Sequence, residues 1–133
     1  MREVGTRATH GAMDALQALD YALGLPGAFL DNPFNHEVGL AKVGGKIFFF
    51  PSGGERPDAM MIKNTAETIE ELKRRFPEHV GPAPYLDKRL WARVELAGLP
   101  DDEILELIED SYDLVVAKLP KSKRPDVEPS GGS

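Results

Sequence analysis

Six basic side chains and one aromatic form the set best suited to chemistry in this sequence: Lys42, Lys46, Lys63, Lys88, Arg89 and Arg93, with Trp91 between the last two. Ammonium and guanidinium groups neutralise phosphates, and an indole ring stacks on a base or packs against an arginine. A plainer reading uses the same residues: Trp91 fills a sheet face, and the bases keep that face in water. The overall charge of −6 works against a polyanionic partner. Its distribution works the other way. Residues 94–117 carry eight acids and no base, whereas residues 41–93 carry ten bases against seven acids. The centre of the chain therefore tolerates an anion that its late segment would repel.

Other constellations fall away on spacing. Gly45-Lys46 resembles the end of a phosphate loop, but that pattern needs a glycine where Leu40 stands, a serine or threonine where Ile47 stands, and a following helix. His10, His36 and His79 are far apart and show no metal-ligand spacing. His36 and Glu37 near Asp31 form the nearest approach to a metal or catalytic cluster, and solvated loop groups account for them equally well. Ser111 lacks a nucleophile-elbow context and reads as a small packed residue bonded to its own helix. The late acids read as a solvated helix face rather than as paired catalytic carboxylates. The sequence has no cysteine, which removes disulfides, thiolate sites and thiol nucleophiles. No metal, cofactor or catalytic residue is expected, and the protein is read as a non-enzyme.

The elements that must position the basic set are legible. With 133 residues, 41% hydrophobic and 29% charged, the chain suits one globular domain. No apolar run reaches the roughly 18 residues of a membrane span, and the first residues lack an apolar signal core, so a cytoplasmic location is expected. Apolar positions Ala12, Met13, Leu16, Leu19 and Leu23 follow a helical stripe that predicts a helix over about 9–23, capped by Thr9 and closed by Gly24. Gly44-Gly45, between two strand-like runs in residues 37–50, predicts a tight hairpin. Phe48-Phe49-Phe50 cannot share one face of a regular strand, so both faces of the sheet are expected to be partly covered there.

A third strand is read at 59–63 and a helix over about 65–76, capped by Asn64 or Thr65. Ile69, Leu72 and Phe76 line its buried side, and Glu70–Arg74 and Glu71–Arg75 pair along it. Residues 81–84, Gly-Pro-Ala-Pro, read as an irregular linker, and Leu90–Leu96 as a further strand burying Leu90, Ala92, Val94 and Leu96. The last helix, from about 100 to 119, buries Ile104, Leu107, Ile108, Ser111, Leu114, Val115 and Leu119 and ends at Pro120. The expected organisation is a single domain over 1–120 and a disordered tail over 121–133.

Several of these segments together resemble the MmcQ/YjbR family of small bacterial proteins. The residues concerned are Leu25-Pro26-Gly27-Ala28, Asn32-Pro33-Phe34, Lys42 to Phe48, Ile62-Lys63, Tyr85 to Trp91, and Ser111 to Pro120. The resemblance spans about residues 16–121. It departs from the family pattern at Leu30, where an acidic residue is usual, at Leu86-Asp87, where His-Asn is typical, and at Leu90, where a histidine often precedes the tryptophan. The resemblance implies an α+β two-layer sandwich, likened to frataxin and secretion chaperones, with an antiparallel sheet and helices on one side. Its element order is an N-terminal helix, a strand meander, a helix, a further strand and a C-terminal helix. It also implies DNA binding through wing-like hairpins, with Lys42, Lys46, Lys63, Lys88, Arg89, Trp91 and Arg93 as the candidate contacts. The alternative is a protein- or peptide-binding module that uses the sheet or a strand edge. Either function is compatible with a monomer or a homodimer.

Overall fold

The computed structural model describes residues 13–32, 39–52, 58–84 and 86–125. Helix α1 (Ala15–Leu23) opens on a capping box: the Asp14 carboxylate accepts from the Gln17 amide, and the Asp14 amide donates to the Gln17 side chain. The cap expected at Thr9, and Ala12 with it, lies outside the described residues. The buried stripe is also rotated from the expected one. Ala15, Ala18, Leu19 and Ala22 face the core, while Leu16 is 59% exposed. Three alanines on that stripe let the helix sit close to the sheet; of the expected positions, Leu19 is buried and Met13 and Leu23 pack partly buried against the core. Gly24 caps the helix in a right-handed conformation, with φ −81.

Six strands form one antiparallel sheet: β1 (Phe29–Asp31), β2 (Leu40–Val43), β3 (Lys46–Ser52), β4 (Ala59–Lys63), β5 (Val80–Pro82) and β6 (Trp91–Glu95), in spatial order β1-β2-β3-β4-β6-β5. Two of these were missed from sequence. The three-residue β1 pairs with β2, and the proline-bounded stretch read as a linker contains β5, the opposite edge, paired with β6. Proline belongs on an edge, where its missing N–H leaves no ladder bond unmade. Helix α2 (Ala66–Arg75) connects β4 to β5, which run parallel with β6 between them, as a split β-α-β unit. Its cap is Thr65, whose hydroxyl accepts from the Thr68 amide. The expected Glu–Arg steps are replaced by Lys73–Glu70 and by a bidentate pair from Arg75 to Glu103 of helix α3 (Asp101–Ala117), both contacts at 3.0 Å. A short 3₁₀ turn at Leu96–Gly98 joins β6 to α3.

Gly44 and Gly45 turn β2 into β3 with φ 60 and 84, the two positive angles that this hairpin turn requires. Beyond the turn the register slips. Lys42 pairs with Ile47, but Ala41 pairs with Phe49, so Phe48 is an extra residue and the strand bulges. Up to the bulge Phe48 shares a face with Lys46 and Val43; after it, Phe49 shares that face with Ala41. Both rings are therefore fully buried in one core, and Phe50 on the other face is only half-buried. The bulge puts two of the three phenylalanines on one face, and the half-buried Phe50 leaves the other face partly covered, as expected.

The core lies between this face and the helices. It joins Ala41, Val43, Phe48, Phe49, Met60, Ile62, Ala92 and Val94 to Ile69 and Leu72 of α2 and to Ile104, Leu107, Ile108, Tyr112 and Val115 of α3. Leu114 is half-exposed and Tyr112 takes the expected place, its ring edge-on to Phe48 at 5.3 Å between centroids. Tyr112 also donates to the Pro26 carbonyl, and Tyr21 of α1 donates to Glu109. Ser111 does not bond to its own helix. Its hydroxyl donates to the Phe48 carbonyl at 2.6 Å and accepts from the Lys63 amide at 2.9 Å. Residues 121–123 form a 3₁₀ turn rather than the start of a loose tail. Arg124 then donates to the Ala117 and Leu119 carbonyls that end α3. Val127 and the rest of the predicted tail lie outside the described residues.

These contacts carry two stability outcomes. Ser111→Ala leaves a buried carbonyl and a part-buried amide without this partner, and urea unfolding should show a loss of about 1–3 kcal/mol. A β-carbon on Gly44 would lie 2.4 Å from the Leu119 side chain, whereas one on Gly45 meets nothing within 4 Å. Gly44→Ala should therefore lower the thermal midpoint clearly more than Gly45→Ala, although both residues hold positive φ.

Candidate anion-binding cleft

The bulge and the Ser111 bridge open the sheet at one end. Pairing of β3 with β4 begins only at Phe49–Ile62, although β3 starts at Lys46 and β4 runs on to Lys63. The strands have parted where their next pair would be Phe48 and Lys63, and Ser111 holds the two backbone groups left over. Next to this opening lies an open cleft of about 560 Å³. Its walls are Lys42, Gly45, Lys46 and Ile47 of the hairpin, Lys63 at the end of β4, and Trp91 at the start of β6. Its floor comes from Val115 in the last turn of α3 and from Lys118, Leu119 and Pro120 just beyond the helix.

Four lysines thus surround an apolar floor and an indole wall. Lys63 and Trp91 are cross-strand partners, which sets their side chains next to each other on one sheet face. Lys46 and Lys118 are exposed. Lys42 is held by Asp31 at 2.7 Å, and this contact pulls the Asp31 carboxyl below its ordinary range. A lowered folded-state value means that the pair favours the folded chain above the ordinary carboxylate pKa of about 3.9. That contribution fades as pH falls through the lower folded value.

The basic residues marked in the sequence divide here. Lys42, Lys46, Lys63 and Trp91 line the cleft; Lys88, Arg89 and Arg93 do not. Arg89 bonds to Asp87 in the turn before β6, through its amide at 2.9 Å and its guanidinium at 3.3 Å. These contacts, the amide first, lower the Asp87 carboxyl, and the nearby charge of Lys63 adds to the effect. Lys88 is exposed in the same turn. Arg93 projects from the same sheet face as Met61, with Glu95 at 3.5 Å. Lys118 was missed. Its only signal in the sequence was its position as the first base after the acidic run, and its place beside the hairpin is set by the docking of α3.

The other candidates gain nothing. His10, His36 and Glu37 lie outside the described residues, and Asp31 is committed to Lys42. His79 faces Glu95 at 3.2 Å. Among the described residues no group of three or more histidines and acids is placed to hold a metal ion, and no helix is long and apolar enough to cross a membrane. The acids of α3 keep to its outer side, with Asp102, Glu106, Glu109 and Asp113 exposed. Asp101, Asp102 and Glu103 occupy the first turn, where the helix dipole favours negative charge.

An antiparallel sheet backed by helices on one face defines a two-layer α+β sandwich, here with a lysine-lined cleft where two strands part. The family model described as YjbR matches residues 23–114, and the chain belongs to the YjbR family. It is 31% identical over 113 residues to the uncharacterised protein YjbR of Escherichia coli (strain K12), covering 84% of this chain and 95% of that one. It is 32% identical to the uncharacterised protein YbdF of Escherichia coli O157:H7 over 81% and 88% of the two chains. Among solved structures, the Deinococcus radiodurans protein DR2400, with its DUF419 domain, superposes with a TM-score of 0.78 at 24% identity, over 95% of this chain and 99% of that one. A Pseudomonas syringae protein superposes with a TM-score of 0.63 at 26% identity, over 77% and 98%.

The Asp31–Lys42 contact yields a directional outcome. Asp31→Asn removes the carboxylate that occupies Lys42, and the variant should elute from a heparin column at higher salt than the parent. An affinity gain of about two- to three-fold is the scale of an exposed pair. Lys63→Gln should move elution to lower salt.

Proposed function

We propose that this protein is a non-catalytic DNA-binding protein that engages phosphates through Lys42, Lys46, Lys63 and Lys118, weakly and with little sequence preference. The observation that carries this reading is convergence. β2, β3, β4 and the segment just after α3, far apart in the chain, each contribute a lysine to the lining of one cleft. A sequence-independent contact to phosphate needs only positive charge in reach of the backbone. The acids exposed along α3 suit such a protein, because they repel DNA from the rest of the surface and leave the cleft end as the approach. Gly44-Gly45 presents Lys46 on a hairpin tip, which suits a wing-like contact.

A second reading has one observation in its favour. Phe29 and Leu30 of the edge strand β1 are 45% and 55% exposed, so a peptide strand could add there. Phe48 and Phe49 add nothing to such a surface, since both are fully buried.

A labelled duplex titrated by fluorescence anisotropy tests the first reading. With about three to four phosphates neutralised, the affinity should fall with salt along a logarithmic slope of about −3. Lys46→Glu combined with Lys118→Glu should abolish binding, and Lys88→Glu should change it much less. Absence of binding at low salt, or an unchanged affinity in the double variant, rejects the reading.

A further inference from the structure

Resting on the reading of the cleft as a DNA site, we infer that its preferred ligand is an unpaired nucleotide of a single strand, with the base stacked on Trp91 and the flanking phosphates on the lysines. Lysines on a flat surface would serve a duplex backbone equally well. This cleft has more than charge. Val115 and Leu119 supply an apolar floor, Ile47 adds an aliphatic wall, and Trp91 stands beside Lys63 as a partly exposed aromatic one. A B-form duplex hides the flat faces of its bases in its own stack and offers only phosphate, sugar and groove edges. It would meet the lysines at the rim and leave the apolar floor unused.

An unpaired nucleotide is chemically two-sided, with a flat apolar ring and an anion on either side. The cleft matches both parts: indole and aliphatic side chains within, and ammonium groups around them. Its volume of about 560 Å³ lies within the range of roughly 300–1,000 Å³ usual for small-molecule sites, so there is room for one base with its sugar rather than for a duplex. Stacking is indifferent to base identity, because every base has a ring face, and the site is therefore sequence-tolerant. Ser111 and the bulge fix the ends of β3 and β4 beside the cleft, so the stack on Trp91 needs no rearrangement of the sheet.

Trp91 is the only tryptophan in the chain, so its emission reports on the proposed stack directly. The full chain is titrated with a twelve-nucleotide oligothymidylate, with a duplex of equal length and with thymidine monophosphate, and anisotropy of end-labelled strands gives the affinities. The single strand should quench the emission and bind about ten-fold tighter than the duplex at the same salt, the effect of one stacked base. Trp91→Leu should remove the preference by bringing the single strand down to the duplex affinity, and Trp91→Phe should keep most of it. A circular-dichroism melt of each variant shows that it is folded.

Equal affinity for both forms without quenching would overturn the stacked nucleotide while leaving duplex binding through the lysines intact. Absence of binding to either form would overturn both readings. Saturation by thymidine monophosphate at the concentrations that suffice for the oligonucleotide would also overturn this inference, because it would make the site one for free nucleotides.

Discussion

The Ser111 hydroxyl holds the two layers together at the point where the sheet is irregular. The bulge at Phe48 leaves that residue's carbonyl and the Lys63 amide without each other, and both are inside the protein. An unpaired buried backbone group costs about as much as a lost hydrogen bond, so a sheet with this register needs an outside partner. Helix α3 brings one, and only a small side chain with both a donor and an acceptor meets the need. The helix is thereby placed in register with the parting strands. Val115 and Leu119, about one and two turns further on, come to lie under the gap as its floor.

The bulge itself answers to packing. Two phenylalanines in succession can enter one core only if the strand gains a residue between them, and Phe48 uses its place there to meet Tyr112 edge-on. The gain in buried aromatic area is offset locally by the broken ladder, and the ladder is mended from the helix. Core packing and the cleft are thus two consequences of the same irregularity. The charge pattern obeys the same geometry. The acidic first turn of α3 is tied to α2 through Arg75 and Glu103, and its other end meets the lysines of the hairpin. Arg124 sits at the carbonyls of Ala117 and Leu119 at this end, where the helix dipole favours positive charge.

Much of this architecture is written in local pattern. The glycine pair, the strand at 59–63, the alternation of 91–95 and the long stripe of α3 each declare themselves within a dozen residues, because each depends on the period of its own backbone. The failures share a cause as well. Strand β1 and strand β5 are three residues each and exist only because a neighbour offers a ladder. The stripe of α1 was misread because alanine is ambiguous: it packs wherever a close approach is required and says little by itself. The bulge depends on a cross-strand register that no single strand encodes.

For the basic residues, the sequence by itself determined their chemistry, their concentration in the middle of the chain and the hairpin that lifts Lys46 to a tip. It also determined that no phosphate loop, thiolate site or nucleophile elbow accompanies them. Only the tertiary structure decided that Lys42, Lys46, Lys63 and Trp91 share a cleft while Lys88, Arg89 and Arg93 stay outside it. Only the structure added Lys118, and it showed Ser111 to be a bridge between strands rather than a filler in a helix. The reason is physical. Charge and turn chemistry are properties of residues and their immediate neighbours, whereas a site is a coincidence in space, set here by where one helix hydroxyl finds two backbone groups that the sheet has left unpaired.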